Sequence, residues 1–192
     1  PALGTYSLAY LEDVARREVD RAARSGRSVS LIELRIEEPR RATPLERAAR
    51  MDLMTAGIAR CLRASDLLAS DGRGRIRLLL PETDALGAAV LKRRACELIT
   101  GLGGAAAREN GVAVSIVATS FPADGRTLET LERAISTRLD EALTSLLDSL
   151  GLSDGSLPAA FDALAERGST VASELPDQVM CFALSEVARH PD

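Results

Sequence analysis

The sequence predicts a layered domain of the α/β (α+β) class. Helix-like and strand-like stretches alternate along the chain, two strand-like stretches are joined by a tight glycine turn, and the apolar content is mainly Ala and Leu. Apolar spacings of about 3.6 and 2 residues distinguish the helices from the strands. The chain has 192 residues, of which 46% are hydrophobic, so it is long enough to bury one sizeable core.

The first half of the chain indicates a helix, a strand and a second helix. Apolar residues at helical spacing predict the first helix from Leu8 onward, ended by Ser25-Gly26. Apolar and charged residues alternate over 29–36, as in a half-buried strand. The second helix is predicted from about Pro44, with an apolar face made of Met54, Ile58, Cys61 and Leu62.

A β-hairpin is predicted between residues 63 and 81. Two short apolar runs, 67–69 and 76–80, flank the turn Gly72-Arg73-Gly74-Arg75. Glycine supplies the positive φ that tight hairpin turns require. The tip carries two arginines and no carboxylate closer than Asp71, so its chemistry is basic.

The second half indicates a helix, a strand, a long helix and a helical extension. Thr83 or Asp84 caps the third helix, which is expected to end near the glycines of 101–104. An alternating strand over 112–118 precedes a helix that begins at about Thr127. These elements predict a domain over 1–150. A C-terminal extension over 151–192 is predicted to contain helices at about 158–167 and 176–189, which pack on the domain or mediate self-association.

Composition excludes several functional classes. The chain has no Trp, two Tyr, three Phe and a net charge of −4, which argues against a nucleic-acid binder. The presence of a single histidine, His190, argues against a zinc site and against a catalytic Ser-His or Cys-His pair. No apolar run approaches the roughly 20 residues of a membrane span. Widely spaced cysteines predict reduced thiols and a cytoplasmic protein. They are Cys61, Cys96 and Cys181.

Several short stretches follow one another in the order and spacing of a known domain family. They are Gly4-Thr5-Tyr6 with Tyr10-Leu11, SVSLI at 28–32, RASDLLA at 63–69, LLLPETD at 78–84, and VSI at 114–116 with FPADG at 121–125. Over roughly residues 3–142 the chain thereby resembles the GGDEF (diguanylate cyclase) domain family. The resemblance implies a mainly antiparallel central sheet wrapped by helices, as in the nucleotidyl cyclases.

The catalytic residues that the resemblance would imply are replaced. Active members of the family join two GTP molecules into cyclic di-GMP, using two metal ions held by acids of the signature hairpin and of the first strand. The first-strand metal aspartate falls on Arg35 and the second acid of that pattern on Glu37. The signature falls on Gly72, Arg73, Gly74, Arg75 and Ile76.

Arginines at these positions are incompatible with a divalent cation. Magnesium requires hard oxygen ligands. A dication about 4 Å from one guanidinium is repelled by about 8 kcal/mol at an effective dielectric of 20, which Glu37 alone does not offset. The sequence therefore predicts a degenerate domain that is not an enzyme, with no catalytic residue and no metal.

The sequence pattern of a second site of the family, a product-binding site, is retained. Many members bind their product at an RxxD motif that ends five residues before the signature, and Arg63-Ala64-Ser65-Asp66 has that spacing. A further family arginine, eighteen residues beyond the signature, falls on Arg94. The resemblance implies that Arg63, Asp66 and Arg94 bind cyclic di-GMP. Arginine forks match phosphate oxygens and the guanine Hoogsteen edge, and a carboxylate accepts from guanine N1 and N2.

Two functions remain open from the sequence. The first is a non-catalytic receptor for this bacterial second messenger, which biases a homodimer or a neighbouring domain in signal transduction. The second is a nucleotide-independent interaction or dimerisation module, because Arg63 and Asp66 are also spaced as an ordinary surface ion pair. Arg73 and Arg75 are either solvated turn residues or a new phosphate clamp. The upstream sensor and downstream output protein are not identified by the sequence.

Overall fold

The computed structural model describes residues 5–37, 43–110, 112–149, 172–175 and 178–183. Its elements up to α4 follow the predicted order. The elements are α1 (Leu8–Ser25), β1 (Val29–Glu37), α2 (Pro44–Ala59), β2 (Leu67–Ser70), β3 (Arg75–Pro81), α3 (Ala85–Asn110), β4 (Val112–Phe121), α4 (Leu128–Ser149), β5 (Ala172–Leu175) and β6 (Gln178–Ala183).

The strands form one antiparallel sheet. Their order is β2-β3-β1-β4-β6-β5, so β1 lies between β3 and β4. Each neighbouring pair runs antiparallel. The α+β architecture with an antiparallel central sheet, which the resemblance implied, is confirmed.

The two faces of the sheet bury separate apolar clusters. On β1, Ile32, Leu34 and Ile36 pack with residues of α2 and α3. The alternate residues Val29 and Leu31 pack with residues of α1 and α4. Because successive strand side chains point to opposite faces, the charged positions 33 and 35 lie on the α1 and α4 face.

Helix ends follow the local sequence signals. Ser7 accepts a hydrogen bond from the Tyr10 backbone at the start of α1, and Gly26 ends that helix with φ 68°. Thr43 and Glu46 form a capping box at the start of α2. Of the two predicted caps for α3, Asp84 is the one used, since its Oδ1 accepts from the Gly87 N–H at 2.8 Å.

The third helix is longer than predicted. α3 continues to Asn110 through the glycines of 101–104, where the sequence predicted its end. Each glycine lowers the stability of a helix by about 1 kcal/mol relative to alanine. The alanines that follow at 105–107 favour the helix, because alanine has the highest helix propensity of all residue types. Neither α3 nor any other helix in the described part of the chain is long and apolar enough to cross a membrane.

The predicted helix at 176–189 is wrong over 178–183. That segment is β6, which pairs with β4 from Val112 to Val117 and with β5. Val179 and Phe182 favour an extended strand, and pairing satisfies backbone groups of β4 that would otherwise form an open edge. The predicted helix at 158–167 lies outside the described residues, and the division of the chain at residue 150 stays a prediction.

The prediction of reduced cysteines is wrong at one position. Cys96 of α3 is disulfide-bonded, whereas Cys61, just after α2, is a free thiol. Sequence spacing does not reveal such a bond, because disulfide formation depends on the separation of the two residues in the fold.

Candidate functional site

The hairpin tip is a glycine turn, as predicted. Gly72 has φ 67° and Gly74 has φ 125°. The Gly74 carbonyl accepts from the Ile36 N–H at 2.7 Å. A Cβ on Gly74 would lie 2.6 Å from the Ile36 carbonyl oxygen, so both the conformation and the close approach require glycine there.

The carboxylate nearest the tip is committed to the turn. Asp71 Oδ1 accepts from the backbone N–H of Arg73 at 2.7 Å and of Arg75 at 3.0 Å. This is the arrangement of an Asx-type turn, in which a short acidic side chain replaces a backbone acceptor. Asp71 therefore holds the tip in shape, and its Oδ1 faces the chain's own amides.

Beside the tip, two arginines flank one buried glutamate. Arg35 and Arg75 are directly opposed across β1 and β3. Arg35 Nε donates to Glu33 Oε1 at 3.1 Å, and Arg75 Nη2 donates to Glu33 Oε2 at 2.9 Å. The Glu33 side chain is fully buried. Two guanidinium groups thus share one buried carboxylate.

A third arginine completes this cluster and links it to α4. Arg77 donates to Glu33 Oε2 from Nε at 3.0 Å and from Nη2 at 2.8 Å. Its Nη1 donates to Glu132 Oε1 at 2.7 Å. We refer to Glu33, Arg35, Arg75, Arg77 and Glu132 as the arginine hub.

The hub keeps its buried groups charged. Burial by itself raises the pKa of Glu33, but the hydrogen bond from Arg75 and the charge of Arg77 outweigh it and hold that pKa below its ordinary value. Burial lowers the pKa of Arg77, yet the charges of Glu33 and Glu132 raise it above its ordinary value. Glu33 is therefore an anion that neutralises neighbouring cations.

Glu33 and Arg77 were not predicted from the sequence as site residues. Both are buried on the sheet face that packs on α1 and α4, next to the buried leucines Leu31 and Leu79. A charged residue at a buried-face position needs a partner of opposite charge. This requirement could have indicated from the sequence that Glu33 and Arg77 need charged partners. Only the register of the strands determines which residues those partners are.

The residues beside the tip do not fit a divalent cation. Within the described ranges, no group of three or more His, Cys, Asp or Glu side chains is placed to hold a metal ion. Both oxygens of Glu33 already accept from guanidinium groups. The side chain of Glu37 lies outside the described residues. The guanidinium groups of Arg35 and Arg75 would repel magnesium and supply no oxygen to bind it.

At the base of the hairpin, Arg63 and Asp66 form a turn. Asp66 Oδ2 accepts from the Arg63 backbone N–H at 2.8 Å, and the Asp66 N–H donates to the Arg63 carbonyl at 3.0 Å. Ser65 Oγ donates to Asp66 Oδ1 at 3.3 Å. The Arg63 side chain is exposed, and its guanidinium has no ion pair or hydrogen bond within the part of the chain that is described.

Arg63 and Arg94 lie on one cavity. It measures about 360 Å³, and its wall between the two arginines includes Leu86, Val90 and Leu91 of α3. Asp66 does not line this cavity.

A second cavity, of about 510 Å³, lies on the α1 side of Arg63. Its lining includes Glu18 and Arg21, which pair with each other at 2.9 Å. It also includes Ser65 and Glu82, and Glu82 pairs with Arg27. Arg63 therefore lines both cavities.

Comparison with known proteins identifies the fold. No protein-family model and no curated protein matches the chain. Among solved structures, a DGC protein from Thermotoga maritima superposes with a TM-score of 0.59 at 16% identity, over 70% of this chain and 95% of that one. The chain has the GGDEF-domain fold.

Two further GGDEF-domain structures agree with this assignment. Diguanylate cyclase SiaD from Pseudomonas aeruginosa, solved with its activator SiaC, has a TM-score of 0.57 at 21% identity, over 73% of this chain and 56% of that one. A sensory box/GGDEF family protein from Caulobacter crescentus has a TM-score of 0.51 at 19% identity, over 73% and 94%. At these identities the likeness establishes the fold alone, and it confirms the GGDEF-like recognition made from the sequence.

Proposed function

We propose that this GGDEF-like domain is a non-catalytic receptor for cyclic di-GMP, bound at the base of the hairpin by Arg63, Asp66 and Arg94. The observation that carries the proposal is the cavity lined by both Arg63 and Arg94. The sequence spacing independently predicts both arginines as ligand-binding residues. The receptor is proposed to act in the cytoplasm and to bias a homodimer or a neighbouring signalling domain.

The chemistry of the cavity suits this ligand. Cyclic di-GMP carries two phosphates and two guanine bases. Arg63 and Arg94 are exposed and have no carboxylate partner among the described residues, so their forks are available for phosphate. The apolar side chains of Leu86, Val90 and Leu91 offer a surface for a base. A volume of about 360 Å³ lies within the usual range of small-molecule sites.

Asp66 retains an acceptor for guanine. Its Oδ2 is used by the Arg63 backbone, whereas Oδ1 accepts one hydroxyl at 3.3 Å from Ser65. A carboxylate oxygen has more than one lone pair, so Oδ1 is able to accept from guanine N1–H or N2–H when Ser65 rotates. In this arrangement Asp66 both fixes the turn and contributes to recognition.

The proposed lack of cyclase activity is supported by the arginine hub. The sequence resemblance aligns Arg35 and Arg75 with the family's metal-binding acids, and both donate to Glu33, which also accepts from Arg77. Magnesium-bound GTP would meet positive charge there instead of oxygen ligands.

Titration calorimetry with cyclic di-GMP tests the receptor function. Wild-type protein is expected to bind. Arg63→Ala is expected to weaken binding by about 10- to 150-fold, because a charge-assisted hydrogen bond contributes about 1.5–3 kcal/mol. Arg93→Ala is the matched control, since Arg93 is the exposed neighbour of Arg94 but does not line the cavity, and it should bind as wild type.

Two results would contradict the receptor function. One is the absence of heat at about 50 μM ligand, a concentration that detects micromolar affinity. The other is unchanged binding in both Arg63→Ala and Arg94→Ala. Formation of cyclic di-GMP from GTP and magnesium would separately overturn the proposed lack of activity.

The alternative function is a nucleotide-independent interaction module. It is favoured by α2, on which Leu45 is 80% exposed and Leu53 is 47% exposed. Residues eight positions apart lie on the same side of a helix, and an exposed apolar patch is typical of a contact surface. A chain that gives no heat with cyclic di-GMP, but whose self-association is reduced in Leu45→Ser with Leu53→Ser, would support this alternative.

A further inference from the structure

The outer side of the arginine hub has N–H groups without acceptors. The Arg35 and Arg75 side chains are 44% and 36% exposed, whereas those of Arg77 and Glu33 are 8% and 0% exposed. Arg35 donates to Glu33 through Nε, and Arg75 donates through Nη2. The Arg75 Nε is buried and has no hydrogen-bond partner. Because each guanidinium has five N–H donors, both arginines retain a fork that is open to another acceptor.

Charge is unbalanced on the same side. Arg77 is compensated by Glu132 as well as by Glu33. Within the described residues Arg35 and Arg75 have only their share of Glu33. They are also directly opposed across two strands, where like charges repel each other. An anion between them would relieve that repulsion and use the open donors.

We propose that Arg35 and Arg75 form a metal-independent site for a phosphate-type oxyanion. Arginine forks match the oxygens of a phosphate, and two forks on neighbouring strands suit a pyrophosphate group or the phosphate chain of a nucleotide. Guanidinium groups bind such an anion directly, so no divalent cation is needed.

The hairpin turn contributes little to this site through its backbone. The amides of Arg73 and Arg75 are already bound by Asp71, so an incoming phosphate would meet side chains. The proposed site is also separate from the cyclic di-GMP cavity, because Arg63 precedes β2 at the opposite end of the hairpin. The two proposals can therefore fail independently.

Titration with inorganic pyrophosphate in EDTA tests the site. The full chain is held at constant ionic strength, and the arginine Nε–H signals are followed by ¹H–¹⁵N NMR. We expect saturable binding with a shift of the Arg75 Nε–H signal. Arg35→Gln should weaken binding at least about tenfold, because it removes one charged fork. Arg27→Gln is the matched control, an exposed arginine paired with one glutamate, and should bind as wild type.

Two further variants distinguish loss of the arginine fork from loss of folding and from binding at the other site. Arg35→Lys retains the charge without the fork, so it serves if Arg35→Gln fails to fold, and it should still weaken binding several-fold. Arg63→Ala should leave pyrophosphate binding unchanged. Comparison of GTP with guanosine in EDTA distinguishes the two candidate ligands, free pyrophosphate and the phosphate chain of a nucleotide. Tighter binding of GTP than of pyrophosphate, with none of guanosine, indicates a nucleotide phosphate chain, and equal binding indicates free pyrophosphate.

The proposal is overturned by any of three results. The first is no saturable binding of pyrophosphate or GTP in EDTA up to about 10 mM, the range of the weakest specific sites. The second is binding that appears only when magnesium is added. The third is an equal loss of affinity in Arg35→Gln and Arg27→Gln, which would indicate a general charge effect.

Discussion

The two ends of the hairpin hold arginines in opposite situations. Beside the tip, the arginines of the hub converge on Glu33, a fully buried carboxylate. At the base, Arg63 and Arg94 line a cavity and have no charged partner in the described ranges. Arginine side chains therefore hold strands together at the tip, whereas at the base they make no contact with a charged group among the described residues.

The burial of the carboxylate partner distinguishes the arginines beside the tip from those at the base. A buried ion pair that loses one partner leaves an uncompensated charge, which destabilises a protein by about 3–5 kcal/mol. An exposed arginine is solvated by water, and its removal changes stability little. We therefore expect loss of the buried Glu33 carboxylate to change folding, and substitutions at the base to change cyclic di-GMP binding with little effect on folding.

The largest effect is expected from Glu33→Gln. It removes the negative charge shared by the hub and leaves Arg77 buried with only Glu132, so we expect a loss of about 3–5 kcal/mol in the free energy of unfolding, measured in urea. Glu129→Gln is the control, because it breaks an exposed ion pair with Arg16 and should destabilise the protein far less. Equal losses in the two variants would contradict the importance of burial.

A smaller loss is expected from Gly74→Ala. Its φ of 125° strains any other residue by about 1–3 kcal/mol, and contact with the Ile36 carbonyl adds to that strain. Gly72→Ala is the internal comparison, because φ is 67° and no atom lies within 4 Å of the added Cβ. We expect it to cost about 1 kcal/mol. Urea unfolding of both variants measures the difference, and a larger loss in Gly72→Ala would show that the tip geometry is not as described.

The hub also predicts a pH dependence of stability. The pKa of Glu33 is lower in the folded protein than its ordinary value of 4.5. Its stabilisation is therefore fully present above about pH 4.5 and is lost as the pH falls through the lower, folded pKa. Denaturation curves between pH 7 and pH 3 should show a smaller pH dependence in Glu33→Gln than in wild type. Parallel curves would exclude a lowered pKa at Glu33.

The sequence predicted what depends on nearby residues and missed what depends on strand register. The spacing of apolar residues predicted α1 and β1, and the glycines predicted the hairpin. Glu33 and Arg77 lie 44 positions apart, and only the pairing of β1 with β3 brings them together. The strand β6 was missed for the same reason, because its partner β4 is distant along the chain. Arg63 and Arg94 were selected through family spacing, which encodes such distant proximity.

The smallest effect on stability is expected from Arg63→Ala. The guanidinium is exposed and makes no hydrogen bond or ion pair within the described part of the chain, so the free energy of unfolding should change by less than about 0.5 kcal/mol. The same substitution should weaken cyclic di-GMP binding by about 10- to 150-fold. Urea unfolding and calorimetry on one preparation separate the two effects. A loss of stability as large as that of Glu33→Gln would mean that Arg63 also serves the fold, and that the two ends of the hairpin do not differ in kind.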